Sequence, residues 1–224
     1  MTAFRKILLP GLALLLLSTA SAQPPRLSLA SNGVLLRSFK PDQQYWSFGQ
    51  TVQFIFHTSP TDGPYAWIAY FSDGKFINRL QAQAMQSSTT PQTVNFDNSA
   101  HLRFKHISLG WRKYLKGRYD ADKSWNLCAM AGFGLLLGRI ENTQSTHIDP
   151  LLYSVPVQAG KANFKRLTLD LGLSPEFPVG ADVCLYLDGR IHIPTTDYPS
   201  PYLFVNRKAP LTAGLGLGVR ILIN

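Results

Sequence analysis

The chain is poor in cysteine, in charge and above all in acid: of 224 residues two are cysteine, 16% are charged, and 13 acidic side chains stand against 22 basic ones. Two cysteines cannot frame a small disulfide scaffold. A hydrophobic content of 45% with so little charge excludes a disordered chain, and the 17 glycines follow no three-residue period, which excludes collagen. Beyond the N-terminus no stretch reaches the roughly 20 apolar residues of a membrane helix. The best, Leu127 to Gly138 and Leu211 to Ile223, are too short and are interrupted by glycines or by Arg220.

The N-terminus itself reads as an export signal. Arg5 and Lys6 precede an unbroken apolar run, Ile7 to Leu17, and Ala20-Ser21-Ala22 offers the small side chains of a cleavage site. Residues 1–22 are therefore expected to be removed, leaving Gln23 first and no cysteine at the cut for a lipid anchor. Loss of Arg5 and Lys6 lowers the formal charge of +9 by two. The balance that remains suits anionic surroundings, including lipopolysaccharide phosphates.

What the rest of the chain has in abundance is period two. Leu211, Ala213, Leu215, Leu217, Val219, Ile221 and Ile223 alternate with Thr212, Gly214, Gly216, Gly218 and Arg220. Leu167 to Leu173, Val183 to Ile193, Ile107 to Trp111 and Leu127 to Leu137 repeat the pattern, one face apolar and the other small, polar or charged. Sandwich strands alternate too, but most stop at about five or six residues; several runs here are longer. Long strands with a continuous apolar face behind an export signal predict a transmembrane, antiparallel, up-and-down β-barrel, an all-β fold. Strands are expected near 46–58, 64–72, 76–86, 99–116, 123–140, 162–175, 182–194 and 209–223, which is eight. Ser72 to Lys75, Gly117 to Asp122 and Glu176 to Ala181 then form periplasmic turns, while 59–63, 87–98, 141–161 and 195–208 connect outside. Residues 23–45 are left as a short periplasmic segment before a barrel spanning 46–224. Trp111 and Trp125 fall on the lipid faces of adjacent strands near one turn, as an aromatic girdle requires.

With that pattern in view, the chain resembles the small eight-stranded outer-membrane barrels, the OmpA-like and OmpX-like class, and is similar in tone to small barrels of Bacteroidota envelopes. The resemblance covers roughly residues 46–224. Its most specific element is Gly216-Leu217-Gly218-Val219-Arg220-Ile221-Leu222-Ile223, similar to the C-terminal signal read by barrel-assembly machinery, although Asn224 stands where many members end on Phe. The resemblance implies residence in the outer membrane of a Gram-negative bacterium, contact with its lipid and lipopolysaccharide, and insertion by that machinery. It carries over no catalytic residue, cofactor or metal.

An eight-stranded barrel is narrow enough for side chains to fill it, and polar groups inside must pair. Arg112, Asp170, Asp188, Arg190 and Arg220 project inward on this register and are expected to share one salt-bridge network that plugs the lumen. Glycines 132, 134, 172, 214, 216 and 218 would make room for the arginines. Cys128 and Cys184 also face inward, but two strands apart, so two buried free thiols are favoured over a bridge. The glycine-spaced C-terminus cannot be a nucleotide loop, because no helix or downstream acid follows, and no nucleic-acid partner is expected.

Three functions remain open. The first is a non-enzymatic barrel that stabilises the envelope or binds an extracellular ligand through loops, among them the aromatic, proline-rich 195–208 with Tyr198, Tyr202 and Phe204. The second is a small pore. The third is a lipid hydrolase: His106 and Ser108 are similar to the His-x-Ser pair of outer-membrane lipid A deacylases, as base and nucleophile. Against the third, the pair faces inward on this register and no acid is spaced to orient His106, since Glu141 and Glu176 fall in connections.

Overall fold

The computed structural model describes residues 26–121, 123–180, 182–196 and 209–223; the cleavage site and the side chains of Tyr198, Tyr202 and Phe204 lie outside them. Nine strands follow one another: β1 (Arg26–Ser38), β2 (Trp46–His57), β3 (Asp62–Ala84), β4 (Thr93–Lys116), β5 (Asn126–Gln144), the two-residue β6 (Tyr153–Ser154), β7 (Gly160–Pro178), β8 (Val183–Pro194) and β9 (Thr212–Ile223). All but β6 close into an antiparallel ring in which β9 pairs with β1, and β1, through β2, leads back to β3. Closure leaves no strand edge inside the membrane, where an unpaired backbone group has no water to turn to.

The ring has eight strands, as the alternation predicts, but two of its members differ. Residues 23–45 are not a segment outside the barrel: β1 lies within them and pairs along its whole length with β2 and β9. Its faces are mixed, with Ser31 and Gly33 among the outward residues and Val34 and Leu36 among the inward ones, which hides the alternation. Conversely, Ser72 to Lys75 is not a turn. It is a β-bulge inside a single 23-residue strand, where the β3–β4 register slips by one residue between Phe71 and Gly74. The slip swaps the faces: odd residues point inward up to Phe71 and even ones from Gly74 on. A bulge breaks the period of a strand just as a turn does. One strand omitted and one divided cancel, so the count and the side assigned to later connections survive. The expected outer connection at 59–63 moves to the end where β1 begins and β9 ends, together with the connections from β4 to β5 and from β7 to β8. The other end carries 39–45, 85–92, 145–159 and 195–211.

Strand lengths are unequal, and this shapes the molecule. A tilted strand crosses a bilayer in about 9–11 residues; β1, β2, β8 and β9 have 12 or 13. β3 and β4 have 23 and 24 and β5 and β7 have 19 each. Their surplus lies at the long-connection end. There β2 leaves β3 at Ser72 and β8 leaves β7 at Thr168, yet β3–β4 pairing continues to Gln83 and Thr93. A four-stranded sheet thus stands clear of the barrel, and among the described residues its β3 edge is unpaired from Asp73 to Ala82. Connection 145–159 folds back over its inner face, adds β6 to the tip of β3, and packs Ile148 against Ala82 and Phe96.

The exterior is apolar through the middle of the barrel. Leu167, Leu171, Leu173, Leu185, Leu187, Leu215 and Leu217 are all exposed there, as lipid-facing positions must be. Trp111 and Trp125 lie outside, toward the terminal end, with the Lys116 ammonium 3.8 Å from the Trp125 ring centre. At the other rim Arg37 lies 5.0 Å from the ring centre of Trp46, a residue the sequence pattern left unassigned. One cross-strand ladder joins the rims: Trp111, Ala131, Leu171, Ile191, Ala213, Arg37, Trp46. That a single ladder climbs from one rim to the other reflects the stagger of tilted strands.

Candidate functional site

The lumen is filled in tiers, and the five charged residues expected there are all inside, with no more than 5% of any of them exposed. They do not form one network. At the terminal end Glu176 is held by two guanidiniums: Arg112 Nη2 on Oε1, and Arg220 Nε at 3.1 Å from the same oxygen. The Tyr114 hydroxyl donates to Oε2 at 3.0 Å. Glu176 belongs to β7, not to a connection, because β7 runs on to Pro178. Arg220 also donates to Ser28 Oγ (3.0 Å), to the Tyr119 carbonyl (2.9 Å) and to Cys184 Sγ (3.2 Å), while Arg112 donates to Cys128 Sγ at 2.9 Å. Both cysteines are buried free thiols on strands separated by β7. Below them Tyr119 stacks on His57, ring centres 4.1 Å apart, and closes this end.

The middle tier is the Asp188–Arg190 pair, two residues apart on one face of β8 and joined at 2.8 Å. Asn32 donates to Asp188 at 3.3 Å, and Arg190 reaches Gln53 Oε1 at 3.0 Å and lies 4.6 Å from the Trp67 ring centre. Of the six glycines read as making room for arginines, Gly172 does so, its missing side chain facing Arg190 Cγ. Gly134 serves a different neighbour: a Cβ there would collide with His106 Nε2 and Asp170 Oδ2.

Asp170 forms the third tier with histidines, not with an arginine. Its Oδ1 lies 2.9 Å from His192 Nδ1 and its Oδ2 3.2 Å from His106 Nε2, which is also 2.9 Å from Thr168 Oγ1. Trp67 meets both imidazoles, edge to face with His106 and stacked on His192. Two histidines and one carboxylate, with donor atoms all within 4.8 Å, are a set that could ligate a metal. They are equally an internal hydrogen-bonded cluster, in which His106 Nδ1 finds no hydrogen-bond partner among the described residues. The sequence missed this grouping because its members sit on β4, β7 and β8. Asp170 is the acid whose absence counted against the His106 and Ser108 pair, but both of those residues are fully buried in the lumen, away from lipid.

Outward of the histidines the filling turns apolar. Leu36, Phe71, Leu102, Phe104, Ile140 and Phe164 belong to one buried cluster that occupies the mouth. The three polar tiers therefore lie beneath an apolar layer, and farther out Asn98 donates to Asn142 at 3.2 Å in a buried pair.

No protein-family model and no curated protein sequence matches the chain. Among solved structures it is similar to a major outer membrane protein from Thermus thermophilus, with 11% identity and a TM-score of 0.55 over 90% of this chain and 100% of that one. It is similar to Neisserial surface protein A (NspA), with 10% identity and a TM-score of 0.50 over 87% and 96%. Ail of Yersinia pestis, solved with the heparin analogue sucrose octasulfate, aligns at 9% identity and a TM-score of 0.48 over 90% and 100%. What this likeness shows is the fold, that of the small eight-stranded antiparallel outer-membrane β-barrels.

Proposed function

We propose that this chain is a non-enzymatic barrel of the outer membrane of a Gram-negative bacterium, sealed through its lumen, which presents its projecting sheet to an extracellular partner. The observation that carries this reading is the unpaired edge of β3 on that sheet. Among the described residues, β3 has no paired strand on one side from Asp73 to Ala82. Proteins usually cover or shorten such edges; an edge held clear of the membrane is instead suited to accept an extended segment of another chain. Trp111 and Trp125 at one rim and Trp46 at the other frame the lipid-facing band.

The test is site-specific photo-crosslinking in intact cells. A crosslinker at Gln81, beside the open β3 edge, is expected to capture a protein adduct, whereas one at Gln50, on the lipid face of β2, is not. Identical patterns from the two sites would refute the proposal. A hydrolase would predict instead that Ser108→Ala abolishes a lipid-cleaving activity of the purified barrel.

A further inference from the structure

The outward rim of β4, β5 and β7 carries a concentration of charge that the fold does not neutralise. Arg103 and Arg139 are directly opposite each other on the exterior of β4 and β5. On the adjoining ladder, one step nearer the membrane, Lys105 and Lys165 flank Leu137. Like charges directly opposed across a ladder destabilise a sheet. Among the described residues none of the four is ion-paired. Two acids lie nearby: Asp73, in the bulge across from Arg103, faces His101 at 3.3 Å, and Glu141, one ladder farther out, is bound to Lys161 at 3.1 Å.

The surroundings specify what would neutralise these cations. Immediately toward the membrane, the next ladder is Ile68, Ile107, Leu135 and Leu167, apolar on all four strands. Elsewhere on the rim β8 carries the half-buried Ile193, the chain just before β9 exposes Leu211, and β1 contributes the single cation Arg37, so the four cations form a localised patch. A soluble polyanion would use the charges and leave the adjoining apolar ladder idle. A molecule with phosphates above and acyl chains below uses both. Guanidiniums bind phosphate through paired hydrogen bonds, and lysines supply point charge.

We infer that this face holds a phosphorylated glycolipid of the outer leaflet, its phosphates bridging Arg103, Arg139, Lys105 and Lys165 and its chains lying along Ile107, Leu135 and Leu167. The assignment rests on the proposed orientation, with the projecting sheet outside.

Native mass spectrometry of the barrel in detergent, titrated with bis-phosphorylated lipid A and with its dephosphorylated form, tests the site. Wild type is expected to retain bis-phosphorylated lipid A, and the double variant Arg103→Gln with Arg139→Gln to bind it at least about tenfold more weakly, the scale of losing charge-assisted hydrogen bonds. Lys75→Gln, one ladder farther out on β3, is expected to bind as wild type does. Millimolar inorganic phosphate should not displace the lipid. Without lipid the double variant should melt no lower than wild type, because it relieves an opposed pair, so weakened binding cannot be ascribed to misfolding. Equal retention of the dephosphorylated lipid, unchanged binding by the double variant, or displacement by phosphate or by heparin fragments would overturn the inference. Orientation is read separately, by labelling Gln81→Cys on intact cells with an impermeant maleimide. Labelling without lipid binding would overturn this site alone; absence of labelling would overturn the outward orientation as well.

Discussion

At the scale of single residues, the lumen shows how buried charge is accommodated where water is scarce. Glu176 satisfies two arginines at once, and its fully buried carboxylate depends on both. Removing one member of a buried pair strands the other and typically costs about 3–5 kcal/mol, whereas removing both costs less. Asp188→Ala should accordingly lower the unfolding midpoint in detergent and urea, and a second change, Arg190→Ala, should restore part of it. Arg220→Ala should not rescue Asp188→Ala, because the carboxylate partner of Arg220 is Glu176; the two losses should add. Rescue by Arg220→Ala would show the single shared network that the sequence pattern suggested. Glu176→Gln should be at least as damaging as Asp188→Ala, since it leaves two guanidiniums without a counter-charge; an unchanged midpoint would contradict the geometry.

At the scale of strands, the bulge at Ser72 and Asp73 is the device that lets β3 serve two surroundings. Asp73 adopts a positive φ of 61°, which aspartate tolerates better than most residues. Below the bulge the inward residues are Tyr65, Trp67, Ala69 and Phe71, and above it Phe76 and Asn78. Deleting Ser72 and Asp73 together removes one residue more than the bulge adds and, with pairing to β4 continued, reverses every side chain beyond it, sending Lys75 and Ile77 inward and Phe76 out. The deletion variant is expected to lose the compact, fast-migrating band seen on gels before boiling, or to keep it with a markedly lower melting temperature. Wild-type behaviour would mean the projecting part of β3 tolerates either register. On the lipid face, Leu169→Arg is expected to cost about 2–4 kcal/mol near the midplane, measured by refolding into vesicles. Thr168→Arg is no neutral control for it, because Thr168 is buried beside His106.

For the whole molecule, the expected consequence of stacked polar tiers under an apolar mouth is electrical silence. Reconstituted in planar bilayers, the barrel should show little steady conductance, and it should migrate faster before boiling than after, as a closed sheet that resists detergent does. Stable, large conductance would move the pore reading to first place.

The class of fold and the lipid-facing side of most strands were legible in the bare chain, because a two-residue period bounded by turns is a local property that each segment carries alone; the count of eight came out right only because one strand omitted and one divided cancel. The same period directed Arg112, Asp170, Asp188, Arg190 and Arg220 inward. It could not say who pairs with whom. Partners such as Glu176 with Arg220, or Asp170 with His106, are brought together by ring closure and by the stagger between strands, neither of which leaves a mark on neighbouring residues. Local period also failed where tertiary pairing overrides it: β1 is a strand because β2 and β9 supply its hydrogen bonds on both sides, and β3 stays one strand through a break in alternation because β4 runs unbroken beside it. The opposed arginines 103 and 139 belong to the same category, 36 positions apart in the chain yet made neighbours by register alone.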